Sequence, residues 1–292
     1  MIKLKFILSL ILQKLDKKNK IVFPISQILI PNIQQKMYTN YEVKNRIAFI
    51  TLNRPKKRNA FSDELVEELK TNFSKAENDE NVKIVVLKAE GDVFCAGADL
   101  GYLQTLQTNS YQENLGDSSS LKDLYEQIYM LSKPTVAQVQ GHALAGGCGL
   151  VSVCDFVFSV PKAKYGYTEV KIGFVPAIVM YFLIRKIGEA HARHLLISGN
   201  LIKADKAEQY GIVTEIVEAE NLEQTVLDFC QNICDTNSGE AMKLTKQAIL
   251  DVQEKTIPDA LRYAAELNAK ARMTEDCKKG IGAFLNKEKI AW

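Results

Sequence analysis

The sequence has little of what metal-binding and disulfide-rich proteins need. It contains three histidines among 292 residues, and none of its six cysteines belongs to a Cys-x-x-Cys pair. His191 and His194 lie three residues apart, but no third ligand accompanies them. This pattern disfavours a zinc site and a disulfide framework. We therefore expect free thiols and no bound metal.

An excess of one charge and a long apolar run are also missing. The 37 basic and 35 acidic side chains give a formal net charge of +2. That charge indicates no strong field for nucleic acid or anionic lipid. The apolar run at residues 6–12 is far too short to span a bilayer. We expect no nucleic-acid partner, no membrane association and, given the free thiols, a cytoplasmic location.

The first 36 residues differ in composition from the remainder. They contain seven lysines, one acid and no arginine. No small-x-small cleavage site of a signal peptide follows the apolar run, and transit peptides are typically rich in arginine. Met37 stands immediately before the first segment with the pattern of a folded domain. We expect residues 1–36 to be a leader or a misannotated extension outside the fold, and we favour translation from Met37 over either targeting peptide.

Strands alternate with helices between residue 41 and Pro176, a pattern typical of α/β folds. Ser62 is a candidate N-cap for a helix that carries Leu65, Leu69 and Phe73 at helical spacing. Further apolar segments predict strands at 47–52, 84–87, 135–139 and 156–160, and a helix that includes residues 121–131. After Pro176 the pattern is almost wholly helical, with helices predicted at 178–187, 189–198, 203–210, 221–233, 239–255, 258–273 and 275–286.

Two loops of small residues, 94–100 and 141–149, are the strongest chemical signal. Small side chains let a ligand carbonyl reach backbone N–H groups, and Gly97 tolerates the unusual backbone angles that orient them. Gly146 opens a predicted helix, whose first N–H groups lie at its positive end. Two such donors on one carbonyl oxygen would stabilise an enolate. The loops therefore predict acyl-thioester chemistry, although the second ends in Gly149, where a catalytic carboxylate would be expected.

Beside the two loops, further segments have recognisable motifs, and the full set is 53–61, 94–100, 141–149, 154–155, 165–176 and 284–287. Together these segments resemble the crotonase (enoyl-CoA hydratase/isomerase) superfamily. The similarity runs over about residues 38–292 and leaves the leader outside. The resemblance implies a crotonase (ClpP/crotonase-like) α/β fold, with a spiral of ββα units over 37–235. It also implies a C-terminal helical region over 236–292 that forms oligomers or closes the active site.

The resemblance also implies roles for individual residues. The thioester carbonyl would rest on the N–H groups of Ala98 and Gly146, and Glu169 would be the acid/base. Coenzyme A would be part of the substrate, with no separate cofactor. A homotrimer or homohexamer is expected. The expected coenzyme A contacts are Lys57, Ala60, Ala96, Asp99, Leu100 and Lys287.

The choice of reaction depends on Gly149. Family hydratases commonly carry one glutamate at that position and another at the position of Glu169, and only the second is present here. A single base suits a 3,2-enoyl-CoA isomerase, because it removes a proton and returns it elsewhere. Similarity at 145–150 and 167–177 to bacterial enoyl-CoA or methylglutaconyl-CoA hydratase-like proteins favours a hydratase, which we place first. Isomerase is second and a decarboxylase third, while an inactive binding or scaffold subunit is the alternative of another class.

Two further expectations concern the site itself. Burial against Tyr167, Phe174 and Val175 is expected to raise the pKa of Glu169, which would help it move a proton to and from the α-carbon. The segment 102–119 is expected to supply walls of the acyl pocket.

Overall fold

The computed structural model describes residues 37–292, which fold as one unit. The expected leader, residues 1–36, lies outside the described residues. Within residues 37–292 ten strands form two sheets, and neighbouring strands of the larger sheet are parallel except for the first pair, which is antiparallel. The strands are β1 (Thr39–Lys44), β2 (Ile47–Leu52), β3 (Ile84–Ala89), β4 (Val93–Cys95), β5 (Thr135–Val139), β6 (His142–Leu144), β7 (Phe156–Ser159), β8 (Lys164–Gly166), β9 (Ile202–Lys203) and β10 (Glu215–Ile216).

The strands alternate between the sheets along the chain. The larger sheet has the order β1-β2-β3-β5-β7-β10, and the smaller has the order β4-β6-β8-β9. Thus β3, β5 and β7 lie in the larger sheet, and β4, β6 and β8, which follow them, lie in the smaller one. Because a helix comes after each pair, the chain winds as a spiral of ββα units, as expected.

Burial explains the composition of the larger sheet. Every residue of β2 except Phe49 is buried, and so are residues 84–87 of β3. Parallel strands covered on both faces read as continuous apolar runs instead of alternating ones. The predicted strands at 47–52, 84–87, 135–139 and 156–160 are confirmed to within two residues.

Ten α-helices complete the described fold of residues 37–292. Ser62 caps the first, because its side chain accepts a hydrogen bond of 3.4 Å from the Leu65 N–H. The helices are α1 (Asp63–Asn78), α2 (Leu100–Leu106), α3 (Tyr111–Met130), α4 (Gly146–Val153), α5 (Ala177–Ser198), α6 (Ala204–Tyr210), α7 (Leu222–Thr236), α8 (Gly239–Val252), α9 (Ile257–Ala271) and α10 (Glu275–Asn286).

The helical region after Pro176 matches the sequence prediction closely. Two helices were predicted at 178–187 and 189–198, and α5 is interrupted between them at Gly188, where φ is 75° and ψ is 161°. The other predicted helices are present, with ends displaced by up to three residues. No helix within residues 37–292 is long and apolar enough to cross a membrane.

The last three helices contribute no buried residue to the core. No residue of α8, α9 or α10 is buried in the single chain. Helix α8 contacts the spiral through Lys246. The Lys246 Nζ lies 2.6 Å from Asp155 Oδ2 and 3.1 Å from the Lys133 carbonyl oxygen. Large apolar side chains remain on their surfaces, including Ile257, Leu261, Phe284 and Leu285.

Candidate active site

The two loops predicted to carry chemistry meet backbone to backbone. A Cβ atom on Gly97 would lie 2.9 Å from Ala145 Cβ and 3.6 Å from the Gly146 nitrogen. One on Gly147 would lie only 2.3 Å from the Cys95 carbonyl oxygen. Real Cβ atoms do not tolerate such contacts, and Gly97 also has a φ of +87°. Glycine at positions 97 and 147 is therefore what allows the loops to touch.

The first loop is held in place by Phe61. The Phe61 N–H donates to the Gly97 carbonyl at 2.7 Å, and the Asp99 N–H donates to the Phe61 carbonyl at 3.1 Å. Successive N–H groups of extended chain point in opposite directions, so these bonds turn the Ala98 N–H away from Phe61. Within residues 37–292, the Ala98 N–H has no hydrogen-bond partner.

The second loop has an unusual backbone at Ala145. Its φ of 50° and ψ of −126° lie where a residue with a Cβ is strained. The Ala145 N–H donates to the Gly166 carbonyl at 2.8 Å, which ties the loop to β8. Gly146 then begins α4, and its N–H has no acceptor in the described part of the chain. This second free donor lies at the positive end of a helix.

Both free donors lie beside one cavity of about 410 Å³. Ala96, Ala98, Gly146 and Glu169 all line it, although the chain separates the first from the last by more than seventy residues. The expected wall segment 102–119 also contributes, as predicted, through residues of α2 and α3. The structure thus brings the three residues expected to be catalytic to one place.

Glu169 is a partly buried carboxylate, and one of its two oxygens lacks a hydrogen-bond partner. It begins a short 3-10 turn, Glu169–Ile172. Its Oε2 is buried and accepts no hydrogen bond from any described residue. Burial raises the pKa of this carboxyl, while the Glu169 backbone N–H partly offsets the rise. The expected direction of the pKa shift is confirmed.

The surroundings of Glu169 differ from the expectation. The Tyr167 side chain points into the core, where its hydroxyl lies 2.8 Å from Ser152 Oγ. Phe174 and Val175 line the cavity but are 58% and 63% exposed. Instead, the Glu169 charge contributes to raising the pKa of the buried Tyr125 hydroxyl, after burial and Cys95. Tyr125 lines the same cavity as Glu169, and the sequence analysis missed it.

The position of Gly149 has no room for a side chain. A Cβ atom there would lie 2.5 Å from Val179 Cγ1, 2.9 Å from the Tyr125 hydroxyl oxygen and 3.0 Å from its Cζ. Tyr125 is fixed because its hydroxyl donates a hydrogen bond of 2.7 Å to the Gly146 carbonyl. Its ring lies edge-on to Phe61, with centroids 6.4 Å apart. The place of a second carboxylate is therefore occupied by Tyr125 and Val179.

A sequence signal for Tyr125 was available. Leu121, Leu124 and Ile128 define the apolar face of α3, and Tyr125 lies four residues after Leu121 on that face. A buried tyrosine hydroxyl needs a partner, and here the partner is the backbone of the second loop.

Asp99, one of the residues expected to bind coenzyme A, is held by several polar contacts. Asp99 caps α2, since its Oδ1 accepts the Gly101 N–H at 2.9 Å, and its Oδ2 lies 3.3 Å from Arg54 Nη2 and 3.8 Å from Lys57 Nζ. Arg54 also donates to the Ala60 carbonyl at 2.6 Å. Of the expected contacts, Ala96 lines the cavity, whereas Lys57, Ala60, Asp99 and Lys287 do not. The Leu100 side chain lies outside the described part of the structure.

Comparison with known proteins agrees with this geometry. The sequence model of the enoyl-CoA hydratase/isomerase family matches residues 42–292. A Thermus thermophilus relative is 38% identical over 244 residues, which cover 84% of this chain and 96% of its own. The short-chain-enoyl-CoA hydratase of Clostridium acetobutylicum is 32% identical over 253 residues, covering 85% and 95%. The crystal structure of an enoyl-CoA hydratase from Shewanella pealeana superposes with a TM-score of 0.84 at 27% identity, covering 89% and 97%.

The chain belongs to the enoyl-CoA hydratase/isomerase family and has its α/β crotonase fold. It is an enzyme of this family, whose membership implies an acyl-CoA substrate. The resemblance drawn from the sequence motifs is confirmed at this level.

The burial of Glu169 predicts how stability depends on pH. Because the folded chain disfavours the ionised carboxyl, the charge of Glu169 destabilises the fold above both its folded and its unfolded pKa. Glu169→Gln should therefore raise the free energy of unfolding at pH 7.5. The gain should vanish as the pH falls below the unfolded value of about 4.3. Urea unfolding at both pH values tests this, and a wild type that is the more stable at pH 7.5 would contradict it.

The packing at Gly149 predicts a coupled pair of substitutions. Gly149→Ala should destabilise the protein by about 1–3 kcal/mol, since Val179 or Tyr125 must move. The cost should fall by at least about 1 kcal/mol in a Val179→Ala background, where Cγ1 is gone. Gly116→Ala is the control, because a Cβ at this site in α3 meets nothing within 4 Å. Equal costs of Gly149→Ala in both backgrounds would show that Val179 does not occupy the site.

Proposed function

We propose that the protein is an enoyl-CoA hydratase in which Ala98 and Gly146 hold the thioester carbonyl and Glu169 is the acid/base. One observation carries this proposal: two N–H groups without partners and one desolvated carboxylate line the same cavity. The names of curated relatives support hydration over other reactions of the family, since the Clostridium acetobutylicum and Syntrophomonas wolfei proteins are called hydratases.

Each group has a defined task in this reaction. The N–H groups of Ala98 and Gly146 donate to the thioester oxygen and stabilise the negative charge that develops on it. Glu169 accepts a proton from water while the water oxygen bonds to the β-carbon. The same carboxyl then gives a proton to the α-carbon, so that one water is added and Glu169 ends as it began. A raised pKa suits a group that must both accept and return a proton.

A second candidate, 3,2-enoyl-CoA isomerase, is favoured by the packing at Gly149. Glu169 lines the same cavity as the free N–H donors, and Tyr125 and Val179 fill the space that a carboxylate at position 149 would need. Glu169 would remove a proton from C2, the donors would stabilise the dienolate, and Glu169 would return a proton to C4. This reaction consumes no water and needs no second base.

We also propose that the coenzyme A moiety extends from the cavity past Lys57, Ala60, Asp99 and Leu100, with Lys287 near its nucleotide end. Lys57 is 65% exposed, so its charge is available to a phosphate.

A cytoplasmic location is proposed because all six cysteines are free and five are buried, which fits a reducing compartment.

We propose a homotrimer or homohexamer assembled through residues 236–292. The support is the surface of α9 and α10, where Ile257 is 77% and Phe284 is 82% exposed. Apolar surface of this kind marks an interface. Light scattering of the purified protein should give three or six times the mass of one chain. The mass of a single chain would contradict the proposal.

Activity measurements with Glu169→Gln test the proposed reaction. Wild-type protein should bleach the absorbance of crotonyl-CoA as the double bond is hydrated. The variant should lose at least about a hundredfold in turnover, because general acid/base catalysis contributes on that scale. Glu126→Gln is the matched control, as Glu126 is an exposed partner of Lys122 on α3 and lies outside the cavity lining.

The other outcomes separate the alternatives. Failure on crotonyl-CoA with turnover of a 3-enoyl-CoA, again lost in Glu169→Gln, would replace hydratase by isomerase. Absence of any turnover in the presence of normal coenzyme A binding would indicate a binding subunit. Full activity of Glu169→Gln would remove Glu169 from the mechanism.

A further inference from the structure

The charges around the cavity all have one sign. Its lining includes three carboxylates, Asp63, Asp117 and Glu169, and no lysine, arginine or histidine of residues 37–292. Most of the other lining residues are apolar or small. A ligand group in this cavity therefore meets negative charge, from Asp63, which is exposed, and from Asp117 and Glu169, which are partly buried.

Asp117 contributes an uncompensated charge. It lies on α3, is partly buried, and forms no hydrogen bond or ion pair with any described residue. Its pKa is raised, first by burial and then by the neighbouring Asp63 carboxylate at the start of α1. Both acids line the cavity, and neither forms an ion pair with a basic side chain of residues 37–292.

The basic residues of the three helices α1, α2 and α3 do not face the cavity lining. Helices α1, α2 and α3 carry only three lysines and no arginine or histidine. Lys70 Nζ lies 2.7 Å from Glu67 Oε1, and Lys122 Nζ lies 2.6 Å from Asp123 Oδ1 and 2.9 Å from Glu126 Oε2. Lys75 Nζ lies 4.0 Å from the centroid of the Tyr41 ring. None of them lines the cavity.

We infer that this cavity selects acyl chains without negative charge and rejects those that end in a carboxylate, with Asp117 as a specificity-determining residue. The inference rests on the proposed function, which places the acyl chain in this cavity. A terminal carboxylate would lose its hydration there and gain no cation in return. It would also be repelled by Asp117 and Asp63. A methylglutaconyl thioester, whose acyl chain ends in a carboxylate, falls in the rejected class.

Equilibrium binding of two saturated thioesters tests the inference without turnover. Valeryl-CoA and glutaryl-CoA have five-carbon acyl chains that end in a methyl group and a carboxylate, respectively. Isothermal titration calorimetry of wild-type protein should give valeryl-CoA at least about tenfold tighter binding, equivalent to about 1.4 kcal/mol. In Asp117→Asn this ratio should fall at least threefold, because the variant keeps the shape and removes the charge.

Two further variants show whether a change in the binding ratio comes from the charge at the cavity. Asp123→Asn removes a charge from the same helix on its exposed side, and it should leave the ratio at the wild-type value. Asp63→Asn should lower the ratio as Asp117→Asn does. The inference can therefore still be tested if one of the two variants folds poorly. Equal binding of the two thioesters by wild-type protein, or a ratio that neither cavity substitution changes, would overturn the inference. If neither thioester binds, the proposed function itself fails, which is a different result.

Discussion

Gly97 and Gly147 let the two loops, 94–100 and 141–149, approach each other more closely than any side chain at these positions would allow. A Cβ on the first would lie 2.9 Å from Ala145 Cβ, and one on the second 2.3 Å from the Cys95 carbonyl oxygen. The free N–H groups of Ala98 and Gly146 flank this contact. The contact between the loops is what places both N–H groups at one cavity. If the loops were apart, the two donors could not reach the same ligand atom. The spiral of ββα units supports the contact by presenting the ends of β4 and β6 side by side.

The site has features that oppose stability. Ala145 has a strained backbone, two N–H groups lack partners, and Glu169 is desolvated without a hydrogen bond to Oε2. Such features persist where the surrounding structure determines them, and they are concentrated at functional sites. Here the surroundings are the buried parallel sheet and the Tyr125 hydroxyl, which fixes the first turn of α4.

Much of the fold and part of the site were predictable from sequence, for physical reasons that particular residues illustrate. The buried strands and the helices after Pro176 have strong apolar patterns, and the break at Gly188 was visible as a gap between two of them. Strands of three residues, such as β4 and β6, are too short to show a period. The close packing of Gly149 was also hidden, since it depends on which face of α3 and which end of α5 cover α4. The same holds for Asp117, whose neighbour Asp63 is more than fifty residues away in the chain.

The central claim is that Ala98 and Gly146 act on one thioester oxygen. Isotope-edited infrared spectroscopy of bound butyryl-CoA carrying a carbon-13 label at the thioester carbonyl tests it most directly. Two N–H donors polarise the carbonyl, so the account predicts that its stretching frequency falls below that of the free thioester in water. A bound carbonyl at the frequency of the free thioester, or above it, would contradict the account.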